Sequence, residues 1–461
     1  MRPIAANRLL EGLCAAGDET ITDVVSDSRK VQPGCVFVCF PGERVDGHDF
    51  AAGAFEKGAA YIVANRPVEG VPAERTILAA DSRRPLCAMA ANYRRRYDPW
   101  MTAITGSVGK TTTKEFTAAV MGAFGETLKT EGNRNNEIGM PETLFRLDEG
   151  TGYAVIEMGM SALEEIHRLS TTARPCAAII TGIGVSHLEN LGSRENILKA
   201  KLEVCDGLPE GGALILNGDD PYLTGAALPA HVRPVWCAID NERARIRAVD
   251  IRHEAEGERF TLRDAELGDF EVYIPVLGLH SVRDALLAYG AATQIPAEKL
   301  GHPFGREDAA RAAAALAGYQ ASGMRQRLVR RGGVTFIEDC YNASPDSMRA
   351  AFDAFGRVPC ARRFALLGDM LELGAVSAEA HREAGGLAAK AGVDFLAAYG
   401  PESARTAETA AALGVEVLHC TDRAQAVQAL AERLQPGDGL LAKGSRGMRL
   451  EEILKELYDK L

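Results

Sequence analysis

A lysine, a run of threonines and two glycines stand together at the start of a helical pattern: Ile104-Thr105-Gly106-Ser107-Val108-Gly109-Lys110-Thr111-Thr112-Thr113. These residue types in this order point to anion binding. Glycines let backbone N–H groups converge on a ligand, a helix N-terminus carries partial positive charge, and Lys110 adds a full cation. Thr111, directly after the lysine, is placed to ligate a magnesium ion carried in with a nucleotide. The usual phosphate loop has four residues between its first glycine and Gly-Lys, whereas Gly106 and Gly109 are separated by two. A solvent-facing lysine on an ordinary turn is the minority reading, because Lys-Thr-Thr-Thr follows two glycines at a helix start.

The elements around the loop set where its ligand would lie. An apolar run at 100–104 supplies a strand before it, and Phe116, Val120 and Phe124 supply a helix face after it. Strand-length apolar runs recur at 153–158, 176–181 and 212–216, alternating with helical stretches. That alternation predicts a mostly parallel sheet with helices on both faces, and such sheets bind ligands beyond the carboxyl ends of their strands. Glu157, His187 and Asn217-Gly218-Asp219-Asp220 fall at those ends. Glu157 could reach the metal of the phosphate loop; His187 is either a second metal ligand or a core histidine. Alternating runs between 245 and 274 predict antiparallel strands at the domain edge. Ser281 is expected to cap a helix running through Leu286, Leu287 and Tyr289.

This central unit, 99–318, lies between two others. In residues 1–98, strands are expected at 36–40 and 59–63, with a helix at 49–57 setting Phe50, Ala54 and Phe55 on one face. Two polar loops there carry Ser28 and Arg29, and Arg44. They either recognise a phosphorylated sugar or a base, or are solvated turns. Asp98-Pro99 reads as a linker. In residues 319–461, strands are expected at 334–337, 364–367, 395–399 and 440–442. Right-handed crossovers put the polar loops that follow them on one sheet edge, a second ligand face. The alanine-rich stretch 309–317 is strong helix.

Composition narrows the partners. A length of 461 residues suits about three domains. A net charge of −11 argues against nonspecific nucleic-acid binding, so anions must be held by local cations. No run of eighteen apolar residues suggests a membrane-spanning helix, and Arg8 and Glu11 argue against a secretory signal. Ten cysteines, none in a CxxC pair, suit reduced thiols in a cytoplasmic protein. One phosphate loop and two α/β units place a nucleotide between domains. A kinase would pass the phosphoryl group to an alcohol; a ligase would pass it to a carboxylate. The ligase must hold two anions together, which explains why cations such as Lys201, Arg325, Lys443 and Arg446 would converge. Pattern and spacing reach a nucleotide-dependent transferase or ligase with a mobile third domain.

The motifs go further. Residues 106–115, GSVGKTTTKE, resemble the phosphate loop of the Mur ligase superfamily, whose glycine spacing is the short one seen here. The segment 130–139 with Asn133, Asn135 and Asn136, then Glu157-Met158-Gly159, the run from His187 to Ser193, and Ala200-Lys201-Leu202-Glu203 are similar to further family motifs. DCYNASPDSM (339–348), LGDMLELG (367–374) and KGSRGMRLE (443–451) resemble the branch that couples D-alanyl-D-alanine to UDP-N-acetylmuramoyl-tripeptide. The Asp-Asn-Pro-Arg motif usual in sister ligases adding the third amino acid is absent.

The resemblance implies an α/β protein of three domains. These are a small N-terminal α/β domain for the UDP-sugar, a central parallel-sheet ATPase domain with added antiparallel strands, and a C-terminal Rossmann-like domain that binds the amine and closes over ATP. It implies that Gly106, Ser107, Val108, Gly109, Lys110, Thr111 and Thr112 bind ATP phosphates, with His280, Arg325 and Asp339 completing the nucleotide site. Thr111, Glu157, His187 and a carbamylated Lys201 would hold magnesium, two ions in all; Lys110, Glu157, His187 and Lys201 form the catalytic set. Ser28, Arg29, Arg44, Asn135, Asn136, Asn342, Ser344, Lys443, Ser445 and Arg446 fall on the substrate side. A cytoplasmic monomer is expected, with no nucleic-acid partner and no integral membrane segment. Without the resemblance, Lys201 reads as a solvated helix lysine. One departure stands out: the family has His-Asn, then Asn three residues later, where this chain has His280-Ser281-Val282-Arg283-Asp284. Ser281 cannot offer adenine both an amide donor and a carbonyl acceptor, so base selectivity is looser or another residue supplies the contact. An inactive nucleotide-binding relative and a sister ligase with another amine are the competing readings.

Overall fold

The computed structural model describes residues 1–42 and 45–461, so Arg44 lies outside the described residues. Near the N-terminus a two-stranded antiparallel ribbon, Ile4–Ala5 with Thr20–Ile21, precedes a four-stranded parallel sheet. That sheet runs Val24–Val25, Val36–Val38, Tyr61–Ala64, Thr76–Leu78. The helix expected at 49–57 differs in one respect. Asp46 accepts the His48 amide and starts a 3-10 turn, Gly47–Phe50, and only then does the helix Ala51–Glu56 begin. Ala51 and Ala54 therefore face the core, and Phe50 turns outward, 41% exposed.

The central sheet has nine strands. In spatial order they are Gly268–Ile274, Gly257–Asp264, Ile246–Glu254, Val232–Ala238, Gly212–Asn217, Ala177–Ile180, Trp100–Thr105, Tyr153–Glu157 and Thr127–Lys129. The first two pairings are antiparallel and the rest parallel. Val232–Ala238 has no expected counterpart, and Pro234 is the reason, since proline interrupts a ladder. The sheet tolerates it because this strand meets Ile246–Glu254 only at Cys237 and Ala238, leaving Pro234 with a neighbour on one side alone.

Two long helices fix the phosphate loop against this sheet. Phe116, Val120 and Met121 of Lys110–Gly122 pack with Val282, Ala285, Leu286 and Tyr289 of Leu279–Ala292. Full burial of such side chains contributes about 1.5–3 kcal/mol each, so the loop stands on a rigid base. Ser281 does not cap the second helix. Gly278 takes the N-cap position at φ 95°, and its amide donates to Glu258 of the neighbouring strand at 2.7 Å. Ser281 lies in the first turn and donates to the Leu277 carbonyl at 2.9 Å. The helix therefore starts without a side-chain cap, and Glu258 instead holds the amide of the residue that precedes it.

The C-terminal sheet has six strands in the order Arg327–Arg331, Val334–Asp339, Gly439–Lys443, Arg363–Gly368, Phe395–Tyr399, Glu416–Cys420. All pairings are parallel except the first. The loops after four of these strands meet at one edge. Asp369 accepts the Ser403 amide at 2.7 Å and its hydroxyl at 2.6 Å, while Ser445 accepts the Leu371 amide at 2.9 Å.

Candidate active site

The strand Trp100–Thr105 delivers the chain into a loop that only glycine can follow. Gly106 has φ 150° and Gly109 φ 82°. A Cβ at Gly106 would lie 1.8 Å from Thr181 Oγ1. Thr181 donates to the Val108 carbonyl at 2.5 Å and the Ser107 amide donates to the Gly182 carbonyl at 2.9 Å, so the end of the next strand clamps the loop. The Lys110 amine donates to the Gly106 carbonyl at 2.8 Å. Burial lowers its pKa, opposed by the carboxylate of Glu157 and assisted by the cation of Arg325.

Glu157, at the end of its strand and 2% exposed, has both oxygens held. Thr111 Oγ1 donates to Oε2 at 3.0 Å and Asn135 Nδ2 donates to Oε1 at 2.8 Å. Its amide donates to Thr130 Oγ1 at 3.0 Å. Two hard oxygen donors, Thr111 Oγ1 and Glu157, therefore lie side by side at the phosphate loop. That set fits magnesium, which takes one or two protein ligands together with phosphates and water. Among the described residues no group of three His, Cys, Asp or Glu could hold a metal by itself. The donors suit an ion that arrives with a nucleotide.

His187 has left-handed backbone, φ 64°, which costs a non-glycine residue about 1–2 kcal/mol. Its buried Nδ1 has no hydrogen-bond partner among the described residues and stands 3.9 Å from Glu372 Oε2 of the third domain. Burial, then Lys110 and Lys201, push its pKa down to about 4. Lys201 is 2% exposed, not the solvated lysine that its helix suggested. Burial and then Lys110 lower its pKa well below the ordinary range, and no carboxylate is among the groups that act on it.

Lys110, Glu157 and His187 line a cleft of about 950 Å³ between the central and third domains, whereas Thr111 and Lys201 are not part of its wall. Ser107, Val108, Gly109, Lys110, Thr112, Asn135, Asn136, Glu157, His187 and His280 line one wall; Arg325, Asp339, Asn342, Ser344 and Lys443 line the other. Several of these also hold the fold. Asn136 accepts the Gly139 amide at 2.9 Å, and Ser344 caps the helix Pro345–Phe355. Lys443 donates to Asp339 at 2.5 Å and to the Asn342 carbonyl at 3.1 Å, tying two third-domain loops together. Arg325 stacks over Tyr341 with its guanidinium carbon 4.1 Å from the ring centre.

Other expected site residues lie elsewhere. Ser445 is buried and Arg446 pairs with Glu451, and neither lines the cleft. Ser28 and Arg29 form an exposed turn of the N-terminal domain, where Arg29 pairs with Asp27 at 2.8 Å. The structure also brings in residues that were not named as site residues. Asp346 accepts the Val185 amide at 3.3 Å across the cleft and is held by Arg349 at 2.7 Å. Gln326, also with left-handed backbone (φ 49°), reaches His280 Nε2 at 2.5 Å. Asp346 lies inside the segment 339–348, which was already singled out; nothing in the spacing marks Gln326, Thr181 or Arg349.

A phosphate loop on one wall and cations on the other, around a space at the upper end of ordinary ligand pockets, suit a nucleotide and a second substrate held together. Comparison with known proteins agrees. Family models described as Mur ligase middle domain, Mur ligase glutamate ligase domain and Mur ligase family catalytic domain match residues 104–292, 324–446 and 20–95. The chain is 39% identical over 446 residues to UDP-N-acetylmuramoyl-tripeptide–D-alanyl-D-alanine ligase of Bacillus subtilis, covering 95% of this chain and 93% of that one. It is 34% identical to the Escherichia coli protein of the same name, covering 98% and 97%. Among solved structures, MurF from Acinetobacter baumannii superposes with a TM-score of 0.86 at 27% identity, covering 100% and 99%. MurF ligase from Thermotoga maritima in complex with ADP gives 0.81 at 26%, covering 95% and 97%.

Proposed function

The chain belongs to the Mur ligase family, and we propose that it is the ATP-dependent ligase joining D-alanyl-D-alanine to UDP-N-acetylmuramoyl-tripeptide, a step in making peptidoglycan precursors. The reaction follows from what a carboxylate lacks. It is a poor electrophile toward an amine, so its oxygen first takes the γ-phosphoryl group of ATP, giving ADP and an acyl phosphate. The amine of D-alanyl-D-alanine then adds to the acyl carbon, the C–O bond to phosphate breaks, and the amine loses a proton. The products are an amide, ADP and inorganic phosphate.

Gly106 to Thr112 bind the phosphates, with Lys110 neutralising the β and γ oxygens. Two anions must approach each other during phosphoryl transfer, and prepositioned cations stabilise that arrangement far better in a closed cleft than in water. Lys110 and Arg325 provide them from facing walls, with Asp339 and Lys443 fixing the third-domain side. Thr111 and Glu157 would hold one magnesium ion and His187 another; bound there, magnesium would offset phosphate charge. Lys201 would be carbamylated: its neutral amine adds to carbon dioxide, a C–N bond forms and a proton leaves. Burial favours the uncharged amine that this addition needs, and the carbamate would turn that amine into an anionic oxygen ligand. Ser28, Arg29 and Arg44 fall to the UDP-sugar. A cytoplasmic location is part of this reading, supported by its nucleotide substrates, and among the described residues no helix is long and apolar enough to cross a membrane.

The observation that carries this reading is the cleft itself, with a phosphate loop facing third-domain loops of the right motif. The test is phosphate release by purified protein supplied with ATP, UDP-N-acetylmuramoyl-tripeptide and D-alanyl-D-alanine. Release should require all three. Equal release without the dipeptide would sink the proposal, and an amine panel separates sister ligases.

A further inference from the structure

Asp284, in the helix Leu279–Ala292, presses on the phosphate loop. It is 5% exposed and lines the cleft. A Cβ on Gly109 would lie 2.7 Å from its Oδ1 and 3.1 Å from its Oδ2. Oδ2 has no hydrogen-bond partner among the described residues. Nearby cations are committed elsewhere. Arg283 turns to Asp219 at 3.1 Å and Asp240 at 3.4 Å, and Lys110 turns to the Gly106 carbonyl at 2.8 Å. The groups facing Asp284 from other elements are the Thr113 hydroxyl and the Tyr319 phenol. Glu115, next to Tyr319, is anionic and already paired with Lys114 and Lys129.

An ionised carboxylate in this position would leave its buried Oδ2 without a hydrogen-bond partner among the described residues, a costly state. It would also face the anion that the loop exists to hold, and like charges in contact do not both stay ionised. A protonated acid avoids both penalties and keeps an O–H donor. Burial raises the acid well above the carboxylate range, against smaller opposing effects of Thr113 and Arg283. We propose that Asp284 is a positioning residue acting as a neutral carboxylic acid, which buttresses the loop at Gly109 and offers the bound nucleotide a hydrogen-bond donor. This rests on the nucleotide reading of the cleft.

Infrared spectra of the ADP complex test it. The wild-type complex should show the carbonyl stretch of a protonated acid, shifted in heavy water and missing from the Asp284→Asn complex. A carboxylate signature at Asp284 in the ADP complex overturns the proposal while leaving the nucleotide reading intact. Failure of ADP to bind wild-type protein overturns both. Should Asp284→Asn not fold, the ADP-bound minus ADP-free spectrum of the wild type still tests it: a perturbed acid carbonyl supports the proposal, and carboxylate bands alone refute it. Where the variants fold, Asp284→Asn, which keeps a neutral donor, should bind ADP at least about tenfold more tightly than Asp284→Ala. Equal affinities would remove the donor role.

Discussion

Thr111 Oγ1 donates to Glu157 Oε2 at 3.0 Å, joining the first turn after the phosphate loop to the end of the neighbouring strand. The pair is buried, so each partner depends on the other. Thr111→Val keeps the volume and removes the donor, leaving a carboxylate oxygen unpaired at a cost of about 1–3 kcal/mol. A lower melting temperature is expected together with loss of ATP-dependent phosphate release. Unchanged melting and full turnover would separate the pair from the site.

Gly106→Ala should be more damaging than its size suggests. Its Cβ would meet Thr181 Oγ1 at 1.8 Å, on backbone at φ 150°. Either the loop leaves the clamp or Thr181 gives up its bond to Val108. Backbone strain alone is worth about 1–3 kcal/mol. Calorimetric titration with ADP should show affinity reduced more than about tenfold; wild-type affinity would mean that the clamp does not shape the loop.

Lys201→Ala should abolish ligation, and bicarbonate or short carboxylic acids should partly restore it by supplying the missing oxygens. The cavity left by a lysine side chain 2% exposed gives such acids a place to bind. Absence of rescue at any concentration would count against the carbamate. Lys110→Ala should abolish turnover without rescue.

The buried thiols predict an alkaline limit. Burial raises Cys39, Cys87 and Cys205 from 9.0 to about 12. Their folded-state values lie above the unfolded ones, so the neutral thiol favours the folded chain. That stability is fully present below pH 9 and is lost as pH rises from about 9 through 12, with a slope of about 1.4 kcal/mol per pH unit per thiol. Melting curves across this range should fall steeply. At neutral pH these three should resist alkylation until the chain unfolds; rapid modification of folded protein would contradict their burial.

The sequence by itself determined the phosphate loop, the alternation of strands and helices, and most of the strands flanking the cleft. Those features are local: glycine spacing, a helix start after a lysine, and apolar runs of strand length are all visible within a few residues. It missed Val232–Ala238 because Pro234 mimics an interruption, and only the sheet shows that its outer side is free there. It assigned the helix cap to Ser281, whereas the helix starts two residues earlier, at Leu279, because Glu258 from another strand holds the Gly278 amide and nothing local reveals that contact. Tertiary structure alone decided which charges are buried and which are answered. Lys201 alone reads as a solvated helix lysine, and Asp284 reads only as a departure from an asparagine; packing buries both, and burial is the largest influence on the charge of each. A sequence lists charged side chains; only the fold sets the distances and dielectric that determine whether they stay charged.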